Sequence, residues 1–466
     1  MDIKVKFLGA AGTVTGSRYL LEFEQQKILV DCGLFQGLKE LRLRNWENFP
    51  VDPSTIDMVF LTHAHIDHSG YLPRLVKHGF KGRIVCTEPT LDLVKILLAD
   101  SGKLQEEEAA YALKKGYSKH SKPEPLYSVS DVNDVFPLLE GISFGKEVFL
   151  NERLQVTAYN AGHILGAAIL KLKISGDQQT KIFVFSGDLG RYHDPILNPP
   201  VNLPFADILF LESTYGDRSN KPRAVEEQLA SCIISTYERG GVTVIPSFAV
   251  GRTQLVLYYL YRLQQKGKIP RIPIYVDSPM AIDVTHLYRS YNEYHRLGPM
   301  LEEGEENPFS HKNLHYYQSQ QASISLNSIK GDAIIISASG MATGGRILHH
   351  LYNRLPNEKD SIVFVGFQPE GTRGRKLLDG DRYSRMYGLD VEVKASVHYI
   401  EGLSAHADQT ELLEWAEGFS SKPKMTFLVH GEPDASQALA GMLKESLGWN
   451  PIIPEYLESF ILFSGI

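Results

Sequence analysis

Short apolar runs with turns between them open the chain. Residues 3–8, 18–23 and 27–31 read as three strands, with Gly9, Gly12 and Gly16 in the turn between the first two. No helix follows Gly9-Ala10-Ala11-Gly12, so this is a tight loop rather than a phosphate-binding one. The apolar run Asp57–Thr62 and the stretch Arg83–Thr87 predict two buried strands, with a helix starting at Tyr71 between them. From Pro89 to about Lys115, Leu91, Val94, Leu97 and Leu98 recur at helical spacing, and Gln105–Glu108 reads as the solvated face. Residues 117–125 read as a basic, proline-bearing loop. A helix is expected at roughly 130–139, capped by Ser130 or Asp131. Strands return at 153–159, 167–174 and 181–186.

From about residue 207 the pattern changes. Ile208–Glu212, Val242–Pro246, Ile274–Asp277, Ala333–Ser337 and Ser361–Val365 are apolar without alternation, and helical patterns at 222–238, 251–266, 279–297 and 343–353 lie between them. Strands buried on both faces and alternating with helices predict a mainly parallel sheet. The expected organisation is a first part at 1–207, a separate α/β domain at 208–394 and a mixed β and α stretch at 395–466. Residues 298–320, with acidic positions around Gly304, read as an irregular surface excursion.

Composition adds boundaries. A chain of 466 residues with 43% hydrophobic and 22% charged residues is a multidomain globular protein. No apolar run approaches the roughly 20 residues of a membrane span, and the alternating N-terminus lacks the apolar core of a signal peptide. Cys32, Cys86 and Cys232 are widely spaced and form no zinc-finger or disulfide pattern, which predicts small buried residues in a reducing cytoplasm. The net charge of −7 argues mildly against non-specific nucleic-acid binding, although phosphate affinity depends on where Lys and Arg stand.

The chemistry concentrates in Thr62-His63-Ala64-His65-Ile66-Asp67-His68-Ser69-Gly70. Four metal-ligand side chains fall within six residues, on a strand-to-helix turn. A solvated polar loop is the competing explanation, but three imidazoles beside a core strand need partners. His163 and Asp188 also follow strand ends, flanked by glycines. Each alone is more often structural; together they supply the ligands the cluster lacks. Asp31, at another strand end, either orients a ligand from behind or caps a turn.

The order Asp31, His63-x-His65-x-Asp67-His68, His163, Asp188 resembles the metallo-β-lactamase superfamily. Glu212 in Leu-Glu-Ser-Thr-Tyr-Gly, His406 in Ser-Ala-His-Ala-Asp and His430 in Val-His-Gly-Glu resemble the β-CASP nucleases within it. The resemblance covers essentially the whole chain. It implies an αββα sandwich interrupted by an inserted β-CASP α/β domain, with residues 395–466 returning to the first domain. It implies one zinc on His63, His65 and His163, a second on Asp67, His68 and His430, Asp188 bridging them, and Asp31 behind. Manganese is the substitute metal. The implied activity is two-metal hydrolysis of single-stranded RNA, endo- or exonucleolytic, with metal-activated water as nucleophile. His406 would be the general acid and Glu212 its orienting partner. A homodimer is consistent with the family.

By the same resemblance the inserted domain would grip the substrate. Candidate phosphate contacts are Arg252, the Ser337-Ala338-Ser339-Gly340 turn, and Arg373 and Arg375. Each turn alone is more often plain loop geometry; three at one end of a sheet tip the reading toward binding. The alternative activity is a hydrolase of a small thioester, lactam or phosphodiester. The long gap between Asp188 and His430, filled by an α/β domain, argues against it.

Overall fold

The computed structural model describes residues 1–115, 123–219, 224–302 and 307–465. Most of the basic loop expected at 117–125, and Gly304 with its acidic neighbours Glu303, Glu305 and Glu306, lie outside the described residues. The chain forms two compact units: residues 1–219 with 406–466, and residues 220–405.

The first unit is a two-sheet sandwich. Its strands are β1 (Ile3–Phe7), β2 (Tyr19–Phe23), β3 (Gln26–Val30), β4 (Met58–Phe60), β5 (Arg83–Thr87), β6 (Leu139–Ile142), β7 (Val148–Phe149), β8 (Leu154–Asn160), β9 (Ala168–Ser175), β10 (Thr180–Phe185), β11 (Ile208–Glu212), β12 (Met425–Val429) and β13 (Ser459–Phe463). One sheet runs β13-β1-β2-β3-β4-β5-β6 and the other β12-β11-β10-β9-β8-β7. β3 through β6 are parallel, as are β10, β11 and β12; the remaining pairs are antiparallel. The inner faces share one core, in which Phe7, Tyr19, Phe185, Phe210 and Phe427 interlock. The Phe185 and Phe210 rings stack 4.1 Å apart and nearly parallel, and Phe427 continues the stack 5.3 Å from Phe210. Helix Glu88–Lys115 packs on β5 and β6, and helix Pro433–Leu447 packs on β12.

Two boundaries differ from the sequence reading. Ile208–Glu212, expected to open the inserted domain, lies between β10 and β12 in the first unit's sheet, in register from Ile208↔Met425 to Glu212↔Val429. The unit boundaries accordingly fall at 219/220 and 405/406 rather than 207/208 and 394/395. A continuous apolar run marks a parallel strand without saying which sheet receives it. The helix expected at roughly 130–139 runs only Val129–Asn133, and its cap is Ser128 rather than Ser130 or Asp131, with Asp131 reaching back to the Ser128 N–H.

The second unit holds a six-stranded, all-parallel sheet of Leu314–Tyr316, Ile274–Val276, Ala333–Ser337, Val242–Pro246, Ser361–Phe364 and Ser396–Tyr399, in that order. Part of the expected excursion at 298–320 is ordered structure: helix Leu297–Glu302 and strand Leu314–Tyr316. A two-stranded hairpin, Tyr383–Met386 with Leu389–Glu392, was not anticipated. Among the described residues no helix is long and apolar enough to cross a membrane, and Cys32, Cys86 and Cys232 are unpaired.

Phe210→Ala opens a void in the middle of the aromatic stack. It is expected to destabilise the first unit by about 3–5 kcal/mol. All three tryptophans, Trp46, Trp415 and Trp449, lie in that unit, so their fluorescence in a urea titration reads it selectively. An unchanged midpoint would refute the stack's role.

Candidate metal centre

Every expected ligand leaves the C-terminal end of a strand. Asp31 follows β3, His63–His68 follow β4, His163 follows β8, Asp188 follows β10, Glu212 ends β11 and His430 follows β12. Close backbone packing holds these loops together. Gly33 is pressed so near the metal loop that a Cβ there would lie 1.5 Å from the Asp67 carbonyl oxygen; at Gly190 it would lie 1.8 Å from that of Gly162. The His430 N–H donates to the Ala10 carbonyl, so the loop after β1 lies beneath the centre rather than around a phosphate.

The side chains form two groups that share Asp188. In the first, His63 Nε2 is 3.1 Å and His163 Nε2 3.2 Å from His65 Nδ1, and Asp188 Oδ2 is 3.5 and 3.6 Å from His63 and His163. In the second, His68 Nε2 is 3.1 Å from His430 Nε2, Asp188 Oδ1 is 3.3 Å from His68, and Asp67 Oδ2 is 3.5 Å from His430 Nε2. Both groups can hold a metal ion. Zinc–nitrogen bonds of about 2.0–2.1 Å in a tetrahedron imply ligand separations of roughly 3.3 Å, which is the spacing observed. Asp188 Oδ1 is buried and accepts no hydrogen bond. An anion in that state needs a cation.

Hydrogen bonds set which ring nitrogen is presented. The Thr62 hydroxyl donates to Asp31, leaving its oxygen to accept from His63 Nδ1 at 3.1 Å and His63 Nε2 turned to the centre. Asp31 Oδ2 also takes the His68 Nδ1 proton at 2.8 Å and so orients both rings. Thr214 does the same for His430: its hydroxyl donates to the His430 carbonyl and accepts from Nδ1 at 3.0 Å. Neither threonine was singled out from the sequence; Thr62 and Thr214 stand at strand ends with nothing in the pattern to mark them. Arg18 was missed as well. It is fully buried, donates twice to the Gly33 carbonyl and sits 4.0 Å over the Tyr71 ring.

Electrostatics agree with this division. Burial pushes the pKa of His63 well down, helped by neighbouring imidazoles, which keeps its ring neutral with a lone pair to share. Burial would raise Asp188, but His430, His68 and His63 outweigh it and hold the carboxyl well below its usual range.

His406 Nδ1 is 3.3 Å from Glu212 Oε2 and 3.9 Å from Asp188 Oδ2, and its ring centre is 4.4 Å from that of His163. Burial opposes charge on His406, yet the two carboxylates prevail and push its pKa up to about 10. The next helix is capped by Asp408, whose carboxylate accepts from the Thr410 and Glu411 N–H groups, so His406 is not spent on capping. Glu212 is wholly buried; its other oxygen accepts from the Leu189 N–H. Tyr215, not singled out from sequence, places its ring edge-on to His406.

The expected phosphate contacts lie in the second unit and are less available than their sequence suggests. The Ser337 hydroxyl is buried and donates to the Asp277 carbonyl. Arg373 donates to the Ala342 and Arg385 carbonyls, and Arg375 pairs with Asp379. Arg252 donates to the Val365 carbonyl. Gly340 lies against the Phe248 ring, where a Cβ would stand 2.8 Å from it. The half-buried Ser339 hydroxyl hydrogen-bonds with that of Thr343. Ser337, Arg373 and Arg375 each have local hydrogen-bond partners in addition to any phosphate they contact.

Comparison with known proteins agrees with this geometry. Residues 20–200 match the model of the metallo-beta-lactamase superfamily domain, residues 253–377 that of the Beta-Casp domain, and residues 390–454 that of the Zn-dependent metallo-hydrolase RNA specificity domain. The chain is 37% identical to Ribonuclease TTHA0252 of Thermus thermophilus, over 93% of this chain and 94% of that one. It is 31% identical to Transcription termination factor FttA of Methanosarcina mazei, over 96% of this chain and 69% of that one, and 30% identical to that of Pyrococcus horikoshii, over 99% and 71%. A crystal structure of an Enterococcus faecalis protein of unknown function shares the fold, with a TM-score of 0.55 at 14% identity over 99% of this chain and all of that one. The chain belongs to the β-CASP family of the metallo-β-lactamase superfamily.

Proposed function

We propose that the protein is a zinc-dependent ribonuclease that hydrolyses phosphodiester bonds of single-stranded RNA. The observation that carries this reading is the pair of ligand groups sharing Asp188, with the His406–Glu212 pair beside them. The relative named as a ribonuclease spans nearly the same length of chain, and the inserted β-CASP unit sets the protein apart from hydrolases of small thioesters and lactams.

His63, His65 and His163 would hold one zinc and Asp67, His68 and His430 a second, with Asp188 common to both. Bound there, zinc supplies Lewis-acid stabilisation of phosphate charge and a water acidic enough to react near neutral pH. The protein's own groups do the rest. Asp31, Thr62 and Thr214 fix the ring tautomers, so the ligand lone pairs already point inward. Glu212 keeps His406 charged, and His406 gives its Nδ1 or Nε2 proton to the leaving ribose oxygen. In the second unit, Arg252, Ser339 and the turn at Gly340 stay within the proposal as backbone and side-chain contacts to phosphate. A homodimer in a reducing cytoplasm completes the proposal, and light scattering checks the oligomeric state.

His406→Ala is expected to lower kcat on a labelled RNA about 10²–10⁴-fold while zinc content, measured by plasma emission, stays at the parent level. Loss of zinc together with activity would show that His406 serves the ligand shell instead. Thr214→Val removes the acceptor for His430 Nδ1, and zinc affinity at the second group should fall about 10–100-fold, read by competition with a chelating dye. Cleavage of a chromogenic lactam or thioester at rates comparable to RNA would favour the small-substrate alternative.

A further inference from the structure

The first unit carries a cationic, partly apolar surface that the metal centre does not use. It lies on the segment after β3, at the same strand ends as the ligands. Residues Lys39–Arg44 form one short helix there. Leu38, Leu43 and Trp46 are 65, 52 and 50% exposed, an unusual density of large apolar side chains in so short a stretch. Lys39 and Arg42 are exposed beside them. Arg74, on helix Leu72–Lys77 directly after the metal loop, places its guanidinium 5.7 Å over the Trp46 ring and donates to the Trp46 carbonyl. Arg44 lies 4.2 Å over Tyr456.

Among the described residues, none of Lys39, Arg42, Arg44 and Arg74 lies within 4.0 Å of a carboxylate, although Glu40 and Glu47 share the segment. In a chain of net charge −7, four unneutralised cations in one place are informative. In the second unit, by contrast, Arg262, Lys266 and Lys268 all converge on Glu226, and Arg375 and Arg382 have acidic partners.

The surface is also braced to the site. Arg18 ties Asn45 to the Gly33 carbonyl, and Asn45 closes two hydrogen bonds on the Phe35 backbone. The Leu34 N–H donates to the Ile66 carbonyl within the metal loop. An aromatic ring for stacking, flanked by cations without acids, is how proteins hold single strands without reading sequence.

We infer that Lys39, Arg42, Arg44 and Trp46 form an accessory ledge that binds a flanking stretch of the single-stranded RNA, with Trp46, braced by Arg74, stacking on a base and the other cations on phosphates. This rests on the ribonuclease reading and deepens it. The ledge contributes affinity and register; the chemistry stays with the metal centre.

The test measures binding of a fluorescein-labelled oligouridylate of about 20 nucleotides by anisotropy. The protein is the full chain carrying Asp67→Ala, which suppresses cleavage. Adding Trp46→Ala should weaken binding about tenfold, the size of one lost base stack. Adding Lys39→Gln with Arg42→Gln should reduce the slope of log affinity against log salt by about 1.4, two single-strand phosphate contacts. Both lysine and arginine positions are exposed, and an unchanged melting temperature confirms that folding is intact. Unaltered affinity and slope in all variants overturn the ledge. So does a Leu43→Lys variant that turns a dimer into a monomer with RNA affinity intact, because the face is then a contact between copies. If the parent protein, with its aspartate and metal, leaves the same oligonucleotide uncut, the ribonuclease reading fails separately, whatever the variants do.

Discussion

One buried carboxylate organises the first unit. Asp188 is 2% exposed, and each of its oxygens faces a different set of imidazoles. A carboxylate in that position, with five histidines around it, is tolerable only when positive charge fills the space between them. The surrounding donors form groups that could hold a metal ion, which would supply that charge.

The fold meets this constraint with backbone rather than with long side chains. All the ligands stand within a few residues of strand ends, where the chain is anchored on one side by a sheet ladder. Asp31 and His430 take positive φ angles of 59° and 49°, a conformation that non-glycine residues adopt at a cost on the order of 1–2 kcal/mol. Each has its side chain hydrogen-bonded in return, Asp31 to Thr62 and His68, His430 to Thr214. At both positions the positive-φ backbone accompanies a side chain fixed to a partner at the end of the neighbouring strand.

How much of this the sequence discloses depends on range. His63, His65, Asp67 and His68 stand out because four potential ligands share one turn, His163 and Asp188 because they follow strand ends flanked by glycines, and Glu212, His406 and His430 through the family resemblance. Glu212 is legible as a site residue but not as part of the first unit's sheet, because an apolar run such as Ile208–Leu211 looks alike in either sheet. Thr62, Thr214 and Arg18 are illegible: each acts through hydrogen bonds to residues distant in sequence, Asp31 for Thr62, His430 for Thr214, and Gly33 with Asn45 for Arg18, and no periodicity encodes a partner. Arg373 and Arg375 show the same limit: the Ala342 and Arg385 carbonyls and Asp379, which hold part of each guanidinium, are not readable from the glycine-rich turn itself.

The position of β12 has a consequence for biosynthesis. The strand that delivers His430 is translated after the whole of residues 220–405, yet it pairs with β11, made before them. The ligand group of His63, His65, His163 and Asp188 lies wholly before the insertion in the chain, whereas the group that needs His430 cannot be complete until residues 220–405 and β12 have both been made.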